Sequence, residues 1–198
     1  MDLDRVAAHE PTTVESDDHS QAAVLVPVLE RPDGAYLLFT KRADHLGEHP
    51  GQMSFPGGGR EPSDESLWGT ALREAEEEIG LLADEVTRVG RLDAIETVTD
   101  YAVTPFVGRV PDRPYQPDDR EVAEISVLPV ADFLDLVNYE SERRDHPRYG
   151  QLRVHFFHVG GFTVWGATAR IVIQLLQLTT DWEPPATVDR VVDRDPNR

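Results

Sequence analysis

The sequence contains no cysteine, and only one of its 198 residues, Lys41, is a lysine. Without cysteine, a disulfide framework, a thiolate metal site and a cysteine nucleophile are all excluded. Any bound metal must be held by oxygen or imidazole ligands, which favours hard cations. The sequence also lacks an apolar run of the roughly eighteen residues that a membrane span needs.

Positive charge is scarce as well. The chain has 37 acidic residues against 19 basic ones, and its formal net charge is −18. Such a surface repels nucleic acid and anionic membranes, so we expect neither as a partner. An acidic, lysine-poor composition is typical of halophilic proteins, which work in salt concentrated enough to screen the repulsion. An acidic protein encoded by a GC-rich genome is the alternative.

The length suits one domain with tails. Residues 1–20 are acidic and poor in apolar side chains, which predicts a disordered tail. They show neither a signal-peptide nor a transit-peptide pattern, so we expect a cytoplasmic protein. Residues 21–180 carry the apolar segments of the domain. Prolines and charges return in residues 181–198, which predicts a flexible C-terminal tail.

Strands and helices follow one another without regular alternation, which favours an α+β fold or an α/β/α sandwich over a doubly wound fold. Short apolar or alternating segments predict strands over residues 22–29, 35–40, 86–99, 101–110, 122–128 and 152–159. Helical periodicity predicts helices from residue 63 to residue 79, near 130–137 and over 163–178. The polar stretch 138–151 is predicted to be a loop.

The first long helix has clear boundary signals. Ser63 can act as its N-cap, and Asp64 and Glu65 place negative charge in the first turn, where it is favoured. Gly80 can end the helix because glycine readily adopts a left-handed conformation. The sequence therefore predicts a helix that begins just after Ser63 and stops at Gly80.

Three carboxylates share one face of this helix. At about 100° per residue, Glu74, Glu77 and Glu78 project to the same side, whereas Glu76 points away. Like charges at this spacing repel one another, and a bound Mg²⁺ or Mn²⁺ would offset that cost. The other interpretation is an acidic face that simply contacts water, which is common in a chain this acidic.

The residues before the helix decide between these interpretations. Counting back from Arg73, Glu65 lies eight residues earlier and Gly59 six residues before that. The resulting pattern has fixed places filled by Gly59, Glu65, Arg73, Glu74, Ala75, Glu77, Glu78, Gly80 and Leu81. Segment 59–81 therefore resembles the signature of the Nudix hydrolases, with every position occupied.

The resemblance implies a Nudix-type α/β/α sandwich with a mixed β-sheet between helices. It also implies a hydrolase that requires Mg²⁺ or Mn²⁺ and cuts the pyrophosphate bond of a nucleoside diphosphate derivative. The metal neutralises the diphosphate and lowers the pKa of the attacking water. The implied metal site comprises Glu74, Glu77, Glu78 and Gly58.

Several residues take further roles under the same resemblance. Glu77 and Glu78 would also serve in catalysis, and Arg73 would be a structural partner that pairs with Glu65. Gly58, or its neighbour Gly59, would let the loop backbone come close to the metal.

The general base is less clearly marked than the metal ligands. Glu121 stands where members of the family often have a further metal-binding or basic glutamate, and an ordinary acid at a strand end is the other interpretation. Asp100 and Glu96 are weaker options for the base.

Two further segments are similar to the coenzyme A pyrophosphatase branch of this family. One runs from Lys41 and Arg42 through His49-Pro-Gly-Gln52 into Phe55-Pro-Gly-Gly58, and the other is Val164-Trp-Gly-Ala-Thr-Ala-Arg170. Branch members often carry an arginine shortly before the histidine, where this chain has Gly47 and Glu48.

The branch resemblance suggests a set of substrate-binding residues. Lys41 and Arg42 are candidates for contact with substrate phosphate, although ordinary charges at a strand end are the alternative. His49 and Gln52 would shape the substrate loop. Trp165 and Thr168 are expected to pack and cap the last helix.

We therefore expect hydrolysis of coenzyme A or acyl-coenzyme A to adenosine 3′,5′-bisphosphate and (acyl-)4′-phosphopantetheine. A Nudix enzyme for another nucleotide, such as ADP-ribose, is the nearest alternative. A non-catalytic nucleotide sensor on the same fold is an alternative of another class. The expected partner is a small-molecule nucleotide. The resemblance leaves a homodimer open, but no segment of the sequence marks an interface.

Overall fold

The described part of the chain contains two β-sheets and four α-helices. The computed structural model describes residues 1–14, 19–43, 45, 51–146 and 150–192. Within these ranges, no helix combines the length and the apolar character that crossing a membrane requires. The helices are α1 (Asp4–Ala7), α2 (Leu67–Ile79), α3 (Val130–Leu134) and α4 (Gly166–Thr179).

The larger sheet forms the middle layer. Its strands are β1 (Ser20–Arg31), β2 (Gly34–Arg42), β3 (Met53–Ser54), β4 (Gly57–Gly59), β5 (Thr87–Arg91), β6 (Ile95–Glu96), β7 (Tyr101–Arg109) and β8 (Val122–Pro129). The main path runs β3-β2-β1-β7-β5, with β4 paired to β1, β6 to β7 and β8 to β2. The sheet is mixed, because β1 and β7 run parallel while β1 and β2 form an antiparallel hairpin.

The smaller sheet has the order β11-β10-β9-β12. Its strands are β9 (Tyr139–His146), β10 (Gly150–Val159), β11 (Phe162–Trp165) and β12 (Arg190–Val192). Both β10–β11 and β9–β10 are antiparallel pairs, whereas β12 runs parallel to β9. Strand β11 also lies against β3, so an edge of the small sheet meets an edge of the large one.

Alternate residues of β1 face opposite sides of the large sheet, as strand geometry requires. Ala23 and Leu25 pack against α2, whereas Val26 and Val28 pack into the other core. Helix α2 packs on one face of the large sheet, and α1, α3 and α4 contribute buried side chains to the opposite core. The expected α+β sandwich, with a mixed sheet between helices, is confirmed.

The beginning of the chain differs from the expected disordered tail. Residues 1–14 include α1, and Leu3 and Val6 are buried in the core beside α4. The expectation rested on the average composition of this segment. It did not take into account two apolar side chains three residues apart, which lie on one side of a helical turn. The C-terminal segment also contributes to the core, because Trp182 packs against Tyr139 and Phe157.

Other boundaries also differ from the sequence prediction. The N-cap of α2 is Ser66, whose hydroxyl accepts a hydrogen bond from the Gly69 amide at 3.1 Å, and not Ser63. Gly80 ends the helix in the left-handed conformation, as predicted, with φ of 63°. The predicted loop over 138–151 is wrong, because β9 occupies most of it. Strand β9 is polar, so its pairing with β10 and β12 determines its conformation.

Acidification should destabilise the protein through His155. Burial, with the charges of Arg153 and Arg170, lowers the pKa of His155 to about 4, and its Nδ1 lies 2.7 Å from the Tyr139 hydroxyl. An unfolded histidine titrates near 6.5, so the unfolded chain binds more protons between about pH 6.5 and about pH 4. The free energy of unfolding should therefore fall as the pH drops through this window.

Urea unfolding of wild type and His155→Gln across this pH window measures the effect. The difference between the two curves isolates His155 from the carboxylates, because their contributions are common to both proteins. We expect the wild type to lose more stability than the variant on acidification. Equal pH dependence in the two proteins would contradict the assignment.

Candidate metal and active site

The candidate site forms where β4 passes the side of α2 that carries Glu74 and Glu78. Strand β4 pairs with β1 through Ala22, Ala23 and Val24, which holds the glycines in place. The Gly57 amide donates a hydrogen bond to Glu78 Oε2 at 3.3 Å. A Cβ at Gly57 would lie 2.4 Å from the Ala23 carbonyl oxygen, and φ there is +155°, so only glycine fits this backbone.

Gly58 makes a second close approach, this time to Glu74. A Cβ built on Gly58 would lie 2.5 Å from Glu74 Oε1 and 2.6 Å from its carboxyl carbon. At Gly59, by contrast, an added Cβ meets no atom within 4 Å among the described residues. Of the two glycines considered from the sequence, Gly58 is therefore the one whose missing side chain leaves room for a carboxylate.

The carboxylates of Glu74 and Glu78 are partly shielded from water at this point. Burial, together with the charges of Glu74 and Glu121, raises the pKa of Glu78 to about 8. Burial also raises the pKa of Glu74, although the Arg73 guanidinium opposes the shift. Crowding buried carboxylates is unfavourable unless a cation or protons offset their charge. Oxygen donors of this kind suit a hard divalent cation.

Arg73 ties the loop before α2 to the helix. Its Nε and Nη2 donate to the two carboxylate oxygens of Asp64 at 3.0 and 3.2 Å, and Nη2 donates to the Gly59 carbonyl at 3.1 Å. The same guanidinium contacts Glu74 at 3.0 Å and Glu77 at 2.9 Å. Its pairing holds the pKa of Asp64 well below the usual range.

The predicted partner of Arg73 was one residue off. Asp64, and not Glu65, receives the bidentate contact, and Asp64 is further held by the Glu61 amide and the Thr70 hydroxyl, both at 2.9 Å. Neighbouring side chains in this loop point in different directions, so spacing alone does not distinguish them. The structural role predicted for Arg73 does agree with these contacts.

Glu77 sits differently from Glu74 and Glu78. Its side chain is 58% exposed and pairs with Arg73. Across the described ranges, no three acidic or histidine side chains are arranged as a ready-made metal cage. Glu74 and Glu78 lie against β4, whereas Glu77 is turned towards the Arg73 guanidinium, and the set of three ligands stays a prediction. To join Glu74 and Glu78 on a cation, Glu77 would have to leave Arg73.

Glu121 is brought to the site by the loop that precedes β8. The Asp118 amide donates to the Glu78 carbonyl at 3.0 Å, and the Glu121 amide donates to the Asp118 carbonyl at 2.9 Å. The Ala43 amide donates to the Glu121 carbonyl at 2.9 Å, which joins this loop to the end of β2. Its charge raises the pKa of both Glu74 and Glu78, so Glu121 belongs to the same electrostatic cluster.

The end of β2 presents the predicted phosphate contacts beside this cluster. Lys41 pairs with Met53 of β3, and the Arg42 amide donates to the Gln52 carbonyl at 3.0 Å. The positive charge of Arg42 opposes the rise in the pKa of Glu78. Lys41, Arg42 and Gln52 therefore lie together next to Glu121, whereas His49, Gly47 and Glu48 lie outside the described residues.

The C-terminal motif comes close to Gln52, which directly precedes β3. The side-chain nitrogen of Gln52 comes to 4.0 Å from a Cβ built on Gly166, the first residue of α4. Trp165 stands at the N-cap position with extended backbone, and Thr168 is buried. Residues of two motifs that are more than a hundred residues apart in sequence thus come close together. Asp64, through Arg73, and Gly57, through Glu78, also contribute contacts to the candidate site. Of these two residues, only Gly57 was marked by the sequence, through its place in the Phe-Pro-Gly-Gly segment.

The chain is similar to several known proteins. The NUDIX domain family model matches residues 19–149. An uncharacterized Nudix hydrolase NudL of Yersinia pestis (strain Pestoides F) is 43% identical over 164 residues, which cover 82% of this chain and 81% of the relative. The NudL protein of Yersinia pseudotuberculosis serotype O:1b matches to the same extent. A solved structure of a C. elegans Ap4A hydrolase binary complex aligns with a TM-score of 0.48 at 19% identity, covering 58% of this chain and 83% of that one.

Proposed function

The chain belongs to the NUDIX domain family, and from that premise we propose that it hydrolyses the pyrophosphate bond of coenzyme A or acyl-coenzyme A. Family membership makes it a Nudix pyrophosphohydrolase, which disfavours a non-catalytic sensor. Nudix hydrolases generally require a divalent ion such as Mg²⁺ or Mn²⁺. The products would be adenosine 3′,5′-bisphosphate and (acyl-)4′-phosphopantetheine.

One observation carries the chemical part of the proposal. Glu74 and Glu78 are held against two glycines of β4, with a pKa raised by burial at both carboxylates. Glu74, Glu78 and, after release from Arg73, Glu77 would hold the divalent ion. When bound, that ion neutralises the diphosphate and acidifies the attacking water.

The chain's own residues would position the reactants. A water oxygen attacks one phosphorus, the bond from that phosphorus to the bridging oxygen breaks, and the bridging oxygen leaves with the other phosphate. Glu121 is our candidate to accept the proton of the attacking water, because it shares the electrostatic cluster of Glu74 and Glu78. Arg42 and Lys41 would contact phosphate oxygens from the end of β2 and thereby orient the diphosphate.

The choice of coenzyme A is supported by the two further motifs. Lys41 to Gly58 and Val164 to Arg170 are similar to one branch of the family, and Gln52 of the first approaches Gly166 of the second. Two motifs of one branch that come close together in space support recognition of a single substrate. ADP-ribose is the competing substrate, since it has the same adenosine diphosphate core.

A substrate panel tests the proposal. Coenzyme A, acetyl-coenzyme A, ADP-ribose and a diadenosine polyphosphate would be compared at equal concentration with Mg²⁺ or Mn²⁺. We expect kcat/KM for coenzyme A or its acyl form to exceed that for ADP-ribose at least about tenfold, which is about 1.4 kcal/mol of differential transition-state binding. Faster turnover of ADP-ribose would overturn the choice of substrate but not the pyrophosphatase chemistry.

A further inference from the structure

The loop between β7 and β8, residues 110–121, closes the C-terminal end of α2. The last carbonyls of a helix have no partner within the helix, so groups from outside must satisfy them. The Asp118 amide donates to the Glu78 carbonyl at 3.0 Å, and the Gln116 amide donates to the Ile79 carbonyl at 3.4 Å. We name residues 110–121 the capping loop, because their backbone is held directly on the last turn of α2.

Arg113 binds the same helix end through its side chain. Its Nη2 donates to the Gly80 carbonyl at 3.0 Å, and its Nε and Nη2 donate to the two carboxylate oxygens of Glu85 at 2.7 and 2.6 Å. The guanidinium also stands 4.5 Å from the centre of the Tyr115 ring. A cation is favoured at the C-terminus of a helix, and a bidentate contact with a carboxylate holds the guanidinium in one orientation. Arg113 thus fastens the capping loop to α2.

The first part of the capping loop has other attachments. Val110 is 7% exposed, and Tyr115 packs against the same core, which lies between α2 and the large sheet. The Tyr115 hydroxyl donates to the Pro111 carbonyl at 2.5 Å. Arg31 donates to the carboxylate of Asp112 from Nε and Nη2 at 3.0 and 2.8 Å. The pair formed by Arg31 and Asp112 joins the loop to the end of β1 and not to α2.

The last part of the capping loop carries Glu121. The Asp118 carbonyl accepts hydrogen bonds from the amides of Glu121 and Val122, both at 2.9 Å. Because the Asp118 amide is bound to the Glu78 carbonyl, two successive backbone hydrogen bonds join Glu78 to Glu121. A shift of the loop on the helix end would therefore move Glu121 relative to Glu78.

We propose that Arg113 is a positioning residue, which holds Glu121 at a fixed place relative to Glu78 by docking the capping loop on α2. The inference rests on the proposed function, because it assumes that Glu121 accepts the proton of the attacking water. The guanidinium is engaged by Gly80 and Glu85, so it acts through the loop and not on the substrate. A general base must lie within hydrogen-bond reach of the water, so a small displacement of Glu121 lowers kcat.

The kinetics of Arg113→Ala test the positioning role. With coenzyme A and saturating Mg²⁺, we expect kcat to fall about tenfold to thirtyfold, since misplacing a catalytic group by an ångström costs up to about a hundredfold. KM and the Mn²⁺ affinity of the free enzyme should change less than about twofold, because the carboxylates of Glu74 and Glu78 stay on the helix. Arg113→Lys should recover part of the loss, since one ammonium reaches either the Gly80 carbonyl or Glu85.

Arg31→Ala is the matched control. It removes the same charge from a contact with the same loop but leaves the contacts with α2 intact. An exposed ion pair contributes little, so kcat should stay within about twofold of the wild type. Equal losses in Arg31→Ala and Arg113→Ala would show that no specific contact with the helix end is involved. Circular dichroism melting confirms that each variant is folded.

A double-mutant cycle shows whether Arg113 acts through Glu121. Glu121→Gln should lower kcat about a hundredfold, which is typical of losing a general base. Adding Arg113→Ala to Glu121→Gln should lower kcat less than about twofold further, because a base that is absent cannot be misplaced. A purely structural role of Arg113 would instead lower kcat by the same factor with or without Glu121.

Hydrogen exchange provides a readout that does not depend on turnover. The amides of Gln116 and Asp118 are bound to carbonyls of α2, so they exchange only when the capping loop leaves the helix. They should exchange about tenfold faster in Arg113→Ala than in the wild type or in Arg31→Ala.

The outcomes separate this inference from the choice of substrate. If ADP-ribose is hydrolysed and coenzyme A is not, the substrate proposal fails, and the same variants are compared with ADP-ribose. The positioning inference is wrong if Arg113→Ala keeps kcat within about twofold, if its loss is additive with that of Glu121→Gln, or if exchange of the capping-loop amides is unchanged. A fully active Glu121→Gln would overturn the base assignment and this inference together, but not the pyrophosphatase chemistry.

Discussion

Replacing Glu78 with glutamine is expected to lower kcat about a thousandfold, the largest single loss that we predict for this protein. The substitution keeps the shape of the side chain and its contact with the Gly57 amide but removes a negative charge. A cation held by one carboxylate fewer stabilises the developing charge less well, and a thousandfold corresponds to about 4 kcal/mol of transition-state stabilisation. Initial rates at saturating Mg²⁺, before and after addition of Mn²⁺, measure the loss.

Glu76→Gln is the matched control for this experiment. Glu76 lies on the same helix two residues away, is exposed, and undergoes the same change of charge. It should retain activity within about twofold. If Glu76→Gln and Glu78→Gln lose activity equally, the effect comes from the net charge of the helix and the site assignment is wrong.

The substitution Gly58→Ala is expected to reduce activity about a hundredfold with little loss of stability. The new methyl group would lie 2.5 Å from Glu74 Oε1, so the carboxylate must move, and it is the flexible end of a side chain that moves. Misplacing a group that positions the reactants by about an ångström can reduce the rate by this factor. The melting temperature and the Mn²⁺ affinity should be measured together with kcat.

The neighbouring glycine provides the control for Gly58. An alanine Cβ at Gly59 meets no atom within 4 Å among the described residues, so Gly59→Ala should keep activity within about fivefold. The two variants add the same methyl group one residue apart. Equal loss in both would show that the strand itself, and not the space reserved for Glu74, was disturbed.

The features that could be predicted from the sequence are those determined by residues close together in the chain. The stop of α2 at Gly80 and the shared side of Glu74, Glu77 and Glu78 follow from helical geometry. The family signature added the loop before the helix. Because a short segment determines these features, they can be predicted without knowledge of the rest of the chain.

The sequence could not predict which of two similar residues makes a contact when the tertiary structure decides between them. Ser63 and Ser66 are both suitable N-caps, and Asp64 and Glu65 both could have paired with Arg73; the loop conformation selects Ser66 and Asp64. Strand β9 has the composition of a loop, and only its partners β10 and β12 make it a strand. Local propensity cannot carry such information.

The proximity of Glu121 to the helix is a property of the fold that the sequence could not show. The family resemblance favoured Glu121 over Asp100 and Glu96, but no distance from any of these acids to the helix follows from the sequence. In the structure, the backbone contacts from Asp118 to Glu78 and from Ala43 to Glu121 bring it into the cluster. The proximity of Gln52 to Gly166 is of the same kind, because it arises where β3 and β11 meet.

The most direct test of the central claim is to follow the reaction with coenzyme A in water labelled with ¹⁸O. We predict equimolar adenosine 3′,5′-bisphosphate and 4′-phosphopantetheine, with one labelled oxygen in a new terminal phosphate of one product. Chelation of the metal and the Glu78→Gln substitution should both suppress the products. Coenzyme A that remains intact under these conditions, or cleavage that continues in Glu78→Gln at the wild-type rate, would contradict the account.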